Sequence, residues 1–229
     1  MVKTLTVIAA LLILAAGASG AIIDPGSISA VASSSWWQGP AAVTASYDGT
    51  GMVSATEHEG IDYGEGTYSS MWLLGGNPRS TPPNGIHGGV ECMGYAQYSF
   101  DASYALDDLN IFNIGGTAYG LSARDVHIQY SNVVSPTVNG DWSDIFSGTL
   151  VQGPEGAGGT SAHGVTDVLD AGDVNARHVA ISILNSYYNY PPGMVYGGIS
   201  EVQFVLVPEP VTVVVLALGA GLALLRKRR

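Results

Sequence analysis

Alternation with a period of two recurs along this chain, and no segment carries the 3.6-residue period of a long amphipathic helix. Val126, Ile128 and Tyr130 alternate with His127 and Gln129. Val179, Ile181 and Ile183 stand against His178 and Ser182, and Val202, Phe204 and Leu206 against Glu201, Gln203 and Val205. β-Branched and aromatic residues in such runs, bounded by Gly, Asn, Ser and Pro, form half-buried strands. Two more strands are expected at Ala96–Ala102 and Leu109–Ile114. The 31 glycines among 229 residues have no period, which excludes collagen and points to many tight turns. The expected class is therefore all-β, most simply two packed antiparallel sheets. Cys92 is the single cysteine, so neither an intramolecular disulfide nor a Cys-based zinc site is possible. A packed core must hold the fold, with Gly75–Gly89 and Gly153–Gly159 as loops within it.

Both ends of the chain carry apolar segments that stand outside this pattern. Lys3, the apolar run Leu5–Ala16 and the small residues Ala18-Ser19-Gly20 have the layout of a secretory signal peptide, residues 1–20. At the other end, Val207-Pro208-Glu209-Pro210 is a rigid break, Val211–Leu225 is uncharged and apolar but for Thr212, and Arg226–Arg229 is four cations. Fifteen such residues fall short of the ~20 that a helix needs to span a bilayer. The positive-inside rule keeps the cationic end in the cytoplasm and the rest outside. A plain single-pass anchor is the simpler alternative. Residues 207–229 resemble the PEP-CTERM sorting signal of exported bacterial proteins. That resemblance implies transient membrane insertion and removal by an exosortase-type membrane protease, with Val207, Pro208, Glu209 and Pro210 as the processing residues. The expected destination is the cell surface or an extracellular biofilm matrix.

From Asp24 to Glu209, only Arg79, Arg124 and Arg177 oppose 19 carboxylates, a net charge of −16. No basic groove for nucleic acid can be assembled from three cations. Such acidity suits an extracellular protein, or one that holds divalent cations through oxygen ligands.

A series of landmarks occurs in a distinctive order: ASYDGTGM (45–52), MWL (71–73), AQYSFDASYALDDLNIFNIGG (96–116), RDVHIQYSN (124–132), GDW (140–142), NARHVAISI (175–183) and GGISEVQF (197–204). In that order they resemble the F5/8 type C, or discoidin, domain of the galactose-binding-like superfamily. The resemblance covers nearly all of 30–204. It implies a jelly-roll β-sandwich over residues 21–206, with loops at one end that bind sugars or other surface ligands. Two departures stand near that end. The acidic insertion TEHEGIDYGEG lengthens one loop, and Tyr98 replaces a tryptophan usual in the family.

The strongest candidate site is Asp48-Gly49-Thr50-Gly51. A short carboxylate followed by glycines lets several carbonyls converge on a hard cation, although the same tetrapeptide also suits a plain hairpin turn. The family resemblance pairs this turn with a glutamate opening the last strand. It thus implies a structural Ca2+ held by Asp48, Thr50 and Glu201. Sugar recognition needs an exposed aromatic plane beside hydrogen-bonding groups. Tyr187, Tyr188, Asn189 and Tyr190 lie in a loop between strands, followed by Pro191-Pro192, and are the candidate ligand-binding residues. Trp36, Trp37 and Trp142 are further aromatics, with His58, His87 and Arg79 as polar partners; Trp72, Trp37 and Trp142 are expected in the core. His127 and His178 are expected on the outer surface of strands. Catalytic signatures are missing: there is no Gly-x-Ser-x-Gly, no HExxH and no P-loop, and Glu57, Glu59 and Glu65 sit in a polar insertion. The expected function is thus a non-catalytic binding module for carbohydrate or glycoconjugate. The alternatives are a structural matrix component without a specific ligand and, remotely, a glycoside hydrolase.

Overall fold

The computed structural model describes residues 20–33, 43–59, 71–75, 79–156, 162–188 and 196–208. Most of the signal segment, nearly all of the sorting segment, Trp36, Trp37, Glu65, Asn189 and Tyr190 lie outside them. Within them the chain is all-β. Ten strands occur: β1 (Ile28–Ala32), β2 (Met52–Ser54), β3 (Glu57–His58), β4 (Trp72–Gly75), β5 (Gly94–Asn113), β6 (Asp125–Ser131), β7 (Ser143–Thr149), β8 (His163–Gly164), β9 (Asp167–Ile183) and β10 (Tyr196–Leu206). Seven of them form an antiparallel sheet in the order β4-β10-β5-β9-β6-β7, with β1 alongside β5, and β2-β3-β8 make a small second sheet.

The expected pair of strands at 96–102 and 109–114 is instead one strand of 20 residues, β5. Its interior alternation (Gly94, Ala96, Tyr98, Phe100) breaks at the exposed triplet Asp101-Ala102-Ser103, returns in phase at Leu106, and shifts phase to Leu109 and Ile111 after a second irregularity at 106–108. Pairing with β9 jumps there from Ser99↔His178 to Tyr104↔Ala176. The extra residues bend the strand without ending it, as bulges do. β9 bulges in turn at Gly172-Asp173, both with positive φ.

The bend builds the sandwich. Phe204 of β10 sits opposite Leu109 of β5, eleven residues beyond Tyr98, which would be about 36 Å along a straight strand at ~3.3 Å per residue. Yet the Tyr98 and Phe204 rings are 5.3 Å apart, and those of Phe100 and Phe204 5.1 Å. The two halves of the sheet therefore face each other. Their inner residues, including Trp72, Tyr98, Leu109, Ile128, Val179, Ile181, Val202 and Phe204, make the main core.

Two further expectations change. β10 was to alternate between core and solvent, but all its residues from 197 to 205 are buried, because segment 47–58 covers its outer face. Gln203 Nε2 donates to the Ala55 carbonyl there at 3.3 Å. His127 and His178 are half-buried rather than on an open surface. The loops around 81–92 and 133–142 lie across the outer face of β5, β9 and β6, where Ile86 and Trp142 pack with Ala180 and Tyr95. His178 accordingly pairs with the Ser99 hydroxyl (2.8 Å) and the Val134 carbonyl (3.2 Å). Tyr98 is fully buried with its hydroxyl 2.8 Å from Ser46 Oγ.

Candidate functional site

Residues 43–51 begin with a 3₁₀ turn (Val43–Ser46) and continue into a tight bend. Asp48 caps the bend locally, its Oδ1 accepting from Thr50 N–H at 2.9 Å, while Gly49 (φ +77°) and Gly51 (φ +87°) take left-handed conformations that their lack of Cβ allows. His58, buried on β3, reaches back with Nε2 3.2 Å from the Thr50 carbonyl oxygen. The bend is thereby tied to the small sheet, a support that no local sequence signal announces.

Glu201 faces this bend from β10. It is 2% exposed, and its Oε2 is buried without a hydrogen-bond partner. Burial pushes its carboxyl up to about 8, the nearby Asp48 carboxylate pushes the same way, and a Gly49 N–H bond opposes them. It lines a cavity of about 100 Å³ with Tyr47, Gly49, Met52 and Ile28. A buried carboxylate oxygen with no donor, repelled by a second carboxylate, is what a hard divalent cation relieves. The donors such an ion would meet are all oxygen: Asp48, Glu201 and the Thr50 carbonyl. Among the described residues no three His, Cys, Asp or Glu side chains converge as a metal cage, so a cation here would need backbone carbonyls and water to complete its coordination.

The tyrosine loop follows β9. Tyr187 is half-buried, its hydroxyl donating to the Leu150 carbonyl at 2.7 Å and its own N–H to Ser122 O at 3.1 Å. Tyr188 is 48% exposed, and its ring lies over Gly120, where an added Cβ would come within 3.2 Å. The Ser186 hydroxyl donates to its carbonyl at 3.2 Å. Tyr187 is therefore an anchor and Tyr188 the face turned outward. Asn113, fully buried, locks the neighbouring segments: its Nδ2 donates to Ala123 O (2.7 Å) and Val151 O (2.9 Å), and its Oδ1 accepts from Ala123 N–H (2.9 Å).

The remaining candidates are dispersed. Trp72 is fully buried and Trp142 is 6% exposed, while His58 serves the Thr50 bend. Arg79 and Glu57 are exposed, and Glu59 is half-buried. Val207 and Pro208 leave the sheet directly: Val207 N–H still donates to Ala105 O at 2.9 Å, and Leu206 N–H to Ala21 O at 2.8 Å. No helix among the described residues is long and apolar enough to cross a membrane.

No family model matches this chain, and no curated protein matches it. Solved structures of similar shape exist at low identity. Module CBM32-3 of a family 31 glycoside hydrolase from Clostridium perfringens is 13% identical with a TM-score of 0.45, covering 81% of this chain and 95% of its own. The F5/8 type C domain of a Bacteroides fragilis protein is 14% identical at TM-score 0.44, covering 83% and 99%. The family 32 carbohydrate-binding module of Streptococcus pneumoniae EndoD is 10% identical at 0.44, covering 82% and 100%.

Proposed function

We propose that this chain is an exported, non-catalytic binding module for carbohydrate or glycoconjugate, with a structural Ca2+ at Asp48, Thr50 and Glu201. The observation supporting it is the pairing of Tyr187 and Tyr188. One ring is pinned by its hydroxyl to the Leu150 carbonyl, and the next presents an exposed face on a backbone already fixed. A rigid aromatic plane loses little entropy when a sugar ring stacks on it. Asn189 and Tyr190 follow immediately and would supply amide and hydroxyl partners. Calcium acts on stability in this scheme: it would replace the missing partner of Glu201 Oε2 and hold the 48–51 bend against β10. The N-terminal segment delivers the protein for export, and residues 207–229 direct its processing by an exosortase-type protease at the membrane.

A glycan array with and without calcium tests this scheme, together with Tyr188→Ala. The variant is expected to lose glycan binding while its melting temperature stays within a few degrees. Loss of stability without selective loss of any ligand makes the loop a cap on the sandwich. No glycan bound under either condition leaves a structural matrix component. Calcium is expected to raise the melting temperature by mass action, with roughly 2.7 kcal/mol gained at a hundredfold excess over its dissociation constant.

A further inference from the structure

Away from the calcium bend and the tyrosine loop, a polar chain crosses the outer face of β6 and β7. His87 Nδ1 and His127 Nδ1 lie 2.7 Å apart, although forty residues separate them. His127 Nε2 is 2.8 Å from Asp144 Oδ1. Gln129 braces both ends, its Oε1 accepting from His87 N–H at 2.7 Å and its Nε2 donating to Asp144 Oδ1 at 3.0 Å.

The protonation pattern follows from the carboxylate. Asp144 can only accept when ionised, so His127 must donate through Nε2, and a neutral ring then carries a lone pair on Nδ1, which accepts from His87 Nδ1–H in this structure. A histidine oriented by a carboxylate on one nitrogen, with the other left as a lone pair, is the arrangement that presents imidazole to a metal ion. The opposing His87 is held at φ +50°, a left-handed conformation unusual outside glycine, between Gly85 (φ +77°) and Gly88 (φ +61°). A strained backbone that aims a side chain marks a place where orientation matters.

We propose that His87 and His127 chelate a borderline divalent transition metal, of the zinc, copper or nickel class, through their two Nδ1 atoms. Asp144 and Gln129 are positioning residues. With metal–nitrogen bonds of about 2.0–2.1 Å in tetrahedral geometry, the two donors stand about 3.3 Å apart. The rings must part by roughly 0.6 Å and turn so that both lone pairs aim at a point off the line between them. With His127 protonated on Nε2, the neutral His87 carries the shared proton on Nδ1; metal binding moves that proton through solvent to His87 Nε2, freeing both Nδ1 lone pairs while both rings stay neutral. Water or an exogenous ligand fills the remaining positions, since His127 is 14% and Asp144 66% exposed at the side chain. Imidazole donors favour these ions over calcium or magnesium.

The test is calorimetric titration of the full chain with Zn2+ and Ni2+, read alongside imidazole 15N spectra. One ion per chain is expected, with two Nδ1 resonances shifting. His87→Asn, which tolerates the left-handed backbone, and His127→Gln are each expected to abolish binding. Asp144→Asn should weaken it about tenfold or more. His178→Gln and Glu201→Gln should leave it unchanged, which separates this site from the calcium bend. Binding that survives His87→Asn, shifts at Nε2 only, or no heat below millimolar metal each overturns the proposal.

Discussion

Replacing Asn113 by leucine tests whether this one buried amide holds the tyrosine-loop end of the sandwich together. The side chain is fully buried, so nothing but protein can replace what it supplies. Removing Nδ2 orphans Ala123 O, which lies in a fully buried residue and has no other donor among its bonds described above. Val151 O loses its donor too, but Val151 is 56% exposed and water can reach it. Ala123 N–H keeps a bond to Gly198 O at 2.9 Å, so loss of Oδ1 costs little there, while the buried Ile114 N–H loses its 3.2 Å bond to the same oxygen. A buried acceptor stripped of its partner costs roughly 1–3 kcal/mol. With Ala123 O at the upper end and Val151 O discounted for exposure, the expected loss is about 3 kcal/mol. For a domain of this size that lowers the melting temperature by roughly 6–12 °C. Urea denaturation gives the free energy, and amide exchange gives the location. Exchange should quicken at 114, 123–124 and 150–151, and the Tyr187 hydroxyl should lose its hold on Leu150. A variant within about 1 kcal/mol of wild type, with unchanged exchange there, would refute the clamp.

Without calcium, Glu201 makes stability depend on pH. Its folded carboxyl titrates at about 8 against 4.5 ordinarily, so the folded state holds a proton that the unfolded state has released. Stability is then full below about pH 4.5 and falls as pH rises to about 8, by roughly 1.4 kcal/mol per unit. Thermal melts in chelator across this window should show the fall, calcium should flatten it, and Glu201→Gln should remove it; a flat profile in chelator contradicts the assignment. Gly85→Ala should destabilise by more than about 1 kcal/mol, because a Cβ at φ +77° would stand 2.0 Å from Asn139 N. Denaturant midpoints measure this, and a neutral outcome would mean that the 81–92 loop is not seated on the 138–141 turn.

Local chemistry was readable in the sequence, and long-range covering was not. The alternation at 126–130 and 179–183 corresponds to β6 and the end of β9, because each has one face in the main core. The Asp48 bend was legible because an Asx turn needs only its own neighbours. The triplet Asp101-Ala102-Ser103 has the composition of a turn, and only its pairing with β9 makes it a bulge inside β5. β10 loses its exposed face to a segment some 150 residues earlier, which no window of sequence reveals. His127 is withdrawn from solvent by a loop forty residues away, and Tyr187 is fixed by a carbonyl at position 150. Each miss is a contact between distant segments, invisible to periodicity.

The two bent strands also govern how this protein comes apart. β5 and β9 pair along nearly their whole length, through both layers of the sandwich. A layer cannot peel away while the other survives, since each is made of the same two strands. Separating them at one end removes the floor beneath the rings packed at the other. Loss of structure should therefore run through the whole domain as one cooperative event, and slow-exchanging amides should extend across the bend without a break. If the protein is exported as proposed, to surroundings where refolding assistance is scarce and proteases are common, such coupling leaves few half-open states to attack.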